Sequence, residues 1–556
     1  MKLLKTQAVL IANWERRAPL AAAACLLALL WRAGPARADG MAGAPRGVYV
    51  HVDFLSVLNG VLEEDGLPRL PPCGAAVPKE AAAQVHSQLQ EIYRQWLGNP
   101  AIAGIKPDVD WCRVQTRNPY CPPGHRTCHF VPDHGNDWSY VDDFFDAAAA
   151  TGKRVHLVIT SGIYSPPWLI DELTDCADVL ESSDPTSLPP CGKVTFTRYP
   201  EQRKDPDGNL LMLAMPLPWN TDYVNDWNSF LKDVAARYDG RGSRYPGLLQ
   251  SVGIGGPICG SIEMILPTDK GGSYVELQSH HRIPADTVWA TVIANNFGTK
   301  YASAPGQPFI DSWNRAIDDY QAIFSGITLR LNPDGGNDFP ELGIAPDVDD
   351  GKVYNALLAT ECAQNNTDSC RAKVAVLYHF IYSSTPSSLR RVNTKGLELD
   401  GMTARTPTAF GGAGIGLQGI KFLAAYTPPR HEPPLPGPIL AGAQFDFGVT
   451  NMKEKEGCPT YSPNDPKACP SLSVQQAAFN VFQAFFANTS RDAAALFDAV
   501  DNPPEYPVQY VTVASSDLTF ANRHTGGVPI SNGTLMSMED IFATASYALR
   551  YLIPAR

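Results

Sequence analysis

Residues 136–162 read NDWSYVDDFFDAAAATGKRVHLVITSG, and this one stretch holds a helix and a strand in immediate succession. Ser139 to Thr151 has the composition of an amphipathic helix, Asp137 sits where a capping side chain is expected, and Gly152 suits the left-handed turn that closes a helix. RVHLVIT (154–160) follows at once, a short apolar run that reads as a buried strand. A helix feeding so directly into a buried strand is half of a strand–helix–strand unit, whose strands run parallel.

The order recurs in both directions. Upstream, GVYVHVDF (47–54) reads as a strand, KEAAAQVHSQLQEIYRQWL (79–97) as a helix and AIAGIKPDVDW (101–111) as a strand. Downstream, Tyr223, Trp227, Phe230, Leu231, Val234 and Tyr238 form one face of a helix that leads into SVGIGGPICGSIEMILP (251–267), the expected fourth strand. Trp313, Ile317, Tyr320 and Phe324 repeat the amphipathic pattern ahead of ITLRLN (327–332). GIGLQG (414–419), ILAGAQFDF (439–447) and VQYVTVASSDL (508–518) supply the last three strands, and SMEDIFATASYALRYL (537–552) a closing helix. KVAVLYHFIYSS (373–384) is either an extra strand or a helix. Eight strands alternating with helices predict an α/β fold, a (β/α)8 TIM barrel. The long segments 112–136, 170–215, 264–308 and 385–412 mostly follow strands, so they should gather over the C-terminal mouth.

The first 38 residues have basic residues up to Arg17, an apolar stretch from Ala18 to Trp31, and small residues at Ala36 and Ala38. That is the pattern of a secretory signal, leaving 39–556 as a single domain destined for the cell exterior or a periplasm. Without it, 39 basic side chains face 56 acidic ones, a balance of −17 that repels phosphate backbones and excludes nucleic acid as a natural partner. No later stretch is long and apolar enough to span a membrane. Eleven cysteines follow the signal, and in an exported protein they read as loop staples, with Cys176–Cys191, Cys362–Cys370 and Cys458–Cys469 the expected pairs and Cys259 the odd thiol. No zinc spacing occurs, no G-x-S-x-G, H-E-x-x-H or P-loop is present, and the G-x-G-x-x-G at 414–419 opens no helix, so no metal or cofactor is expected.

Glu263 is the only charged side chain in the run 251–267. Apolar neighbours disfavour the ionised carboxylate, which suits a general acid; the plainer alternative is a helix start or an arginine partner. Taken together, the segments 137–169, 218–240 and 251–267 resemble the barrel half of retaining glycoside hydrolases of the beta-galactosidase and cellulase type. The resemblance implies an acid/base glutamate ending the fourth strand, which is Glu263, and a second glutamate ending the seventh. Here the seventh strand offers only Gln444 and Asp446, so Asp446 is the candidate second carboxylate, and a loop cap the alternative for it. Trp111, Tyr164 and Trp168 follow early strands and could stack on sugar faces or pack in the core; Asp53 and Asp110 could bind hydroxyls or cap loops. The expected function is hydrolysis of an oligo- or polysaccharide, with a non-catalytic carbohydrate-binding protein as the alternative. Sequence alone leaves the oligomeric state open.

Overall fold

The computed structural model describes residues 45–119, 135–197, 213–256, 264–332, 339–345, 362, 367–382, 395–399, 439–444, 508–515, 518, 528–529 and 535–536, apart from 72, 74, 75, 241 and 325. All of them fall in one compact unit, Ala42–Arg556. The proposed signal, Cys259, Glu263, GIGLQG, Asp446, Cys458–Cys469 and the closing helix lie outside the described residues.

The described residues open with β1 (Gly47–Asp53), α1 (Phe54–Glu64), α2 (Lys79–Gly98), β2 (Ile102–Asp110), the short α3 (Trp111–Val114), α4 (Ser139–Thr151) and β3 (Arg154–Thr160). An excursion follows with α5 (Pro167–Glu172), α6 (Ala177–Glu181) and the antiparallel pair β4 (Lys193–Phe196) and β5 (Leu213–Pro216). Then come α7 (Thr221–Tyr238) and β6 (Leu249–Gly253). A second excursion carries the pair β7 (Tyr274–Glu276) and β8 (Arg282–Pro284) and helix α8 (Ala285–Phe297), ahead of α9 (Gln307–Ile323) and β9 (Thr328–Leu331). Helix α10 (Asp368–Tyr382) leads to β10 (Lys395–Leu399), β11 (Ile439–Gln444) and β12 (Val508–Ala514), with the small pair β13 (Val528–Pro529) and β14 (Leu535–Met536) last.

Strands β1, β2, β3, β6, β9, β10, β11 and β12 curl into one parallel sheet in which β12 pairs back with β1. Helices separate successive strands as far as β10. The predicted face of α7 is the buried one, all six positions included, and Gly152 ends α4 at φ 67° with its N–H on the carbonyls of Ala148 and Ala149. Asp137 sits one place ahead of the capping position and accepts from Ser139 N and Oγ.

Three expectations are corrected and one open alternative is settled. The fourth strand of the sheet stops at Gly253, and Ile254, Gly255 and Gly256 lie beyond it. The reason is local: a Cβ on Gly256 would sit 2.4 Å from the indole of Trp313, and one on Gly255 3.3 Å from the Tyr320 hydroxyl, so these glycines carry the backbone close over α9. The sixth strand is KGLEL (395–399), inside a segment read as loop. The stretch from 373 to 382 is helix, part of α10. Phe54, expected to end the first strand, instead opens α1, capped by Asp53.

Disulfides Cys176–Cys191 and Cys362–Cys370 are as expected, with Cα atoms 5.1 and 5.9 Å apart. Cys112, for which no pair was expected, bridges 39 residues back to Cys73 at 5.5 Å. That bond ties the α1–α2 connection to α3, just beyond the end of β2. The two excursions are also fastened to each other. The side-chain amide of buried Asn295, on α8, donates to the carbonyls of Pro185, Leu188 and Pro189, while its oxygen accepts from Cys191 N at 3.0 Å. Thr197 N donates to the Tyr274 carbonyl at 2.7 Å. Among the described residues no helix is long and apolar enough to cross a membrane.

Candidate functional site

Alternation decides what fills the sheet's interior. Val48, Val50 and Val52 join the hydrophobic core shared with the helices, which turns Tyr49, His51 and Asp53 to the other side. In the same way Ile105 and Val109 leave Lys106, Asp108 and Asp110 inside, Val155 and Leu157 leave His156, Leu329 and Leu331 leave Arg330, and Val511 and Val513 leave Tyr510 and Thr512. Contacts between strands that are not neighbours confirm the direction, because they can only cross the interior. The Tyr49 hydroxyl on β1 donates to Gln250 Oε1 on β6 at 2.6 Å, and His156 on β3 meets the edge of Tyr510 on β12 at 5.3 Å. Tyr49 also stacks on His156 at 3.7 Å. Its ring has room because β2 carries Gly104 beside it: a Cβ there would lie 2.2 Å from the Arg154 carbonyl oxygen and 2.6 Å from the Tyr49 ring. Register shifts fall at Val48/Tyr49 and Val155/His156, the places where such irregularities re-aim a side chain.

This filling departs from the branched apolar layers usual inside parallel barrels. Lys106, His156 and Arg330 are buried. Asp108 accepts from His51 Nε2 at 2.9 Å, and the two side chains keep 25% and 21% of their surface exposed, so this pair faces the open end while His156 lies beneath it. Burial pushes the Asp108 carboxyl up, but Lys106, His51 and Arg330 outweigh it and hold the group below its ordinary value, ionised at neutral pH. Burial, then the charges of Arg330 and Lys106, hold His156 well below the usual imidazole range, so it is neutral. Beside them Thr160 Oγ1 donates to Asp110 Oδ1 at 3.1 Å.

The residues expected in the site scatter. Asp53 is exposed and caps α1, accepting from Ser56 N at 3.2 Å and Ser56 Oγ at 2.7 Å. Asp110 is inside, next to Asp108 in the alternation. Trp111 is wholly buried; its ring packs on Trp227 at 4.9 Å and Phe230 at 5.6 Å, and its N–H donates to Gln115. Tyr164 is buried as well. Both are core aromatics, with no open face for a sugar. Trp168 is half-buried against the core, and its indole nitrogen meets no protein acceptor among the described residues. Gln444 ends β11, where it pairs in register with Thr512. His51, Lys106, Asp108, His156 and Arg330 were not singled out from the sequence. The signal was a period of two in strands otherwise read by apolar content: Y-x-H-x-D from 49 to 53, K-x-D-x-D from 106 to 110, T-x-R-x-N from 328 to 332.

Among the described residues no group of three or more His, Cys, Asp or Glu is arranged to hold a metal ion. No protein-family model matches the chain, and no curated protein matches it. Among solved structures it is similar to a beta-mannanase from the blue mussel Mytilus edulis at 8% identity, covering 91% of this chain and 93% of that one, with a TM-score of 0.32. It is also similar to a beta-glucosidase from Thermotoga maritima, in complex with castanospermine, at 9% identity, covering 77% and 76%, with a TM-score of 0.31. Superpositions this loose decide neither fold nor chemistry, which rest here on strand pairing and on the side chains themselves.

Proposed function

We propose that the protein is an exported glycoside hydrolase on a complete (β/α)8 barrel, 39–556 being one domain released from the signal at 1–38, with Glu263 as general acid. The observation that supports it best is the charged interior at the open end. Ionised and hydrogen-bonding groups are costly inside a sheet and are kept where a polar ligand or a reaction needs them. A polyhydroxylated substrate suits a mouth carrying His51, Asp108 and Asp110, and an acidic, disulfide-bonded chain suits the cell exterior. Glu263 among Ile262, Met264 and Ile265 has the apolar setting of a proton donor, and Asp446, two residues beyond Gln444, is its candidate partner. Fold does not dictate chemistry, so the reading stands on these side chains.

The test is a panel of natural and aryl glycosides. Glu263→Gln, nearly isosteric, should lower turnover of natural glycosides by roughly 10²- to 10⁴-fold and of aryl glycosides with good leaving groups much less. Uniform loss across both classes, or none, removes Glu263 from the role. Wild-type protein that turns over nothing but binds oligosaccharides through Trp168 would be a carbohydrate-binding protein instead.

A further inference from the structure

We infer that His51, aligned by Asp108, is the general base of this mouth, taking a proton from the water that attacks the anomeric carbon of the substrate. The inference rests on the glycoside-hydrolase reading and gives His51 the second role for which Asp446 is the other candidate, since ILAGAQFDF offers no glutamate.

Geometry carries it. His51 Nε2 lies 2.9 Å from Asp108 Oδ2, and an ionised carboxylate can only accept, so the proton of a neutral imidazole sits on Nε2 and the lone pair on Nδ1. Nδ1 meets no protein group among the described residues, and the ring keeps 21% of its surface exposed at the open end. His156, two strands over on β3, is neutral but sealed at 0% exposure, so it cannot serve. A structural ion pair would be expected to satisfy both carboxylate oxygens, yet Asp108 Oδ1 is buried without a protein partner among the described residues. Lys106 and Arg330 keep Asp108 ionised, which fixes the tautomer and stabilises the imidazolium that forms when the base takes its proton. A carboxylate orienting an imidazole whose other nitrogen is open is the arrangement of a base and its positioning residue.

The step balances without a further reactant. The water oxygen bonds to the anomeric carbon as the glycosidic carbon–oxygen bond breaks; the water proton passes to His51 Nδ1; the leaving oxygen takes its proton from the general acid. His51 then returns its proton to solvent. Direct displacement by water inverts the anomeric centre. The charged and titratable groups around His51 are Asp53 on its own strand, Lys106, its register partner on β2, and Asp108, whose charge Arg330 also feels.

The experiment uses a glycoside that the full-length protein turns over. Proton NMR of the first-formed product should show the inverted anomer. His51→Gln should lower kcat by roughly 10²- to 10⁴-fold with little change in KM, and should remove the acid limb of kcat/KM, which reports protonation of the base. Asp108→Asn, of matched size, should lower kcat at least about tenfold and change the nitrogen-15 tautomer signature of the His51 ring, which a purely structural role would leave alone. If His51→Gln does not fold, the product anomer and Asp108→Asn still decide. A retained anomer, or a His51→Gln enzyme within about threefold of wild type with its acid limb intact, overturns the inference and leaves the hydrolase reading standing. Wild-type protein without turnover on any glycoside brings down both.

Discussion

Replacing Gly104 with alanine would put a methyl carbon 2.2 Å from the carbonyl oxygen of Arg154 and 2.6 Å from the ring of Tyr49, where ordinary contact begins near 3.4 Å. About 1.2 Å must therefore be found, and neither neighbour can give it. Arg154 is the ladder partner of Gly104 across β2 and β3, so moving its carbonyl loosens the strand pair. Tyr49 is held by its stack on His156 and by its hydrogen bond to Gln250. Overpacking of this kind costs about 1–3 kcal/mol, and a ladder hydrogen bond lost about 1 kcal/mol more, so Gly104→Ala should destabilise by about 2–4 kcal/mol. Urea unfolding at neutral pH measures it as a lower midpoint at unchanged slope. Gly60 is the control, an exposed helix position with nothing within 4 Å of an added Cβ, where alanine should stabilise by about 0.5–1 kcal/mol. If Gly60→Ala behaves so and Gly104→Ala loses less than about 1 kcal/mol, Tyr49 does not lie against β2 and the interior is filled differently.

Two other perturbations read out separate parts of the molecule. His86 Nδ1 contacts Asp143 Oδ2 at 2.5 Å, and this hydrogen bond, opposed by burial and helped by the Asp143 and Asp137 charges, raises the imidazole above its ordinary value of 6.5. A raised value means the folded state binds the proton more tightly, so the contribution is complete below pH 6.5 and fades as pH rises through the folded-state value. The stability difference between wild type and His86→Gln should thus be larger at pH 5.5 than at 8.5; a difference independent of pH would show that the pair holds no proton of consequence. Loss of the Cys73–Cys112 bridge, which closes a span of 39 residues, should cost about 4 kcal/mol by chain entropy. Denaturation of Cys73→Ser/Cys112→Ser measures it, and a loss under about 1 kcal/mol would mean that the α1–α2 connection is fixed by packing alone.

Helices were legible where a single face is buried, because their period is long and averages over many side chains. All six positions assigned to the buried face of α7 are buried, and Gly152 closes α4 as its missing side chain allows. Strands were legible as apolar runs but not in their limits. SVGIGGPICGSIEMILP looks like one strand because small residues score as apolar, whereas Gly255 and Gly256 are small to clear Tyr320 and Trp313, and the strand ends before them. KGLEL escaped notice since five residues with two charges carry little periodic signal. Trp111 illustrates a deeper ambiguity: an aromatic just after a strand has the same sequence signature whether it faces a ligand or, as here, Trp227 and Phe230. The charged interior was written in the sequence as polar residues at every second place. It went unread because strands of a parallel barrel are expected to be apolar on both faces. The partners across the sheet, Gln250 for Tyr49 and Arg330 near Asp108, belong to distant segments that only folding brings together.

Asn295 gives the molecule a history as well as a shape. One amide on α8 holds three carbonyls and an N–H of the loop between α6 and β4, although the two segments follow different strands of the sheet. Loops over a mouth of this kind ordinarily diverge one at a time, each free to lengthen or be exchanged. Here recombination that replaced the first excursion alone would strand a buried amide, and replacement of the second alone would leave Pro185, Leu188 and Pro189 without their donor. The pair can be inherited, grafted or redesigned only as a single cassette, so diversification of this mouth is confined to changes that both excursions accept together.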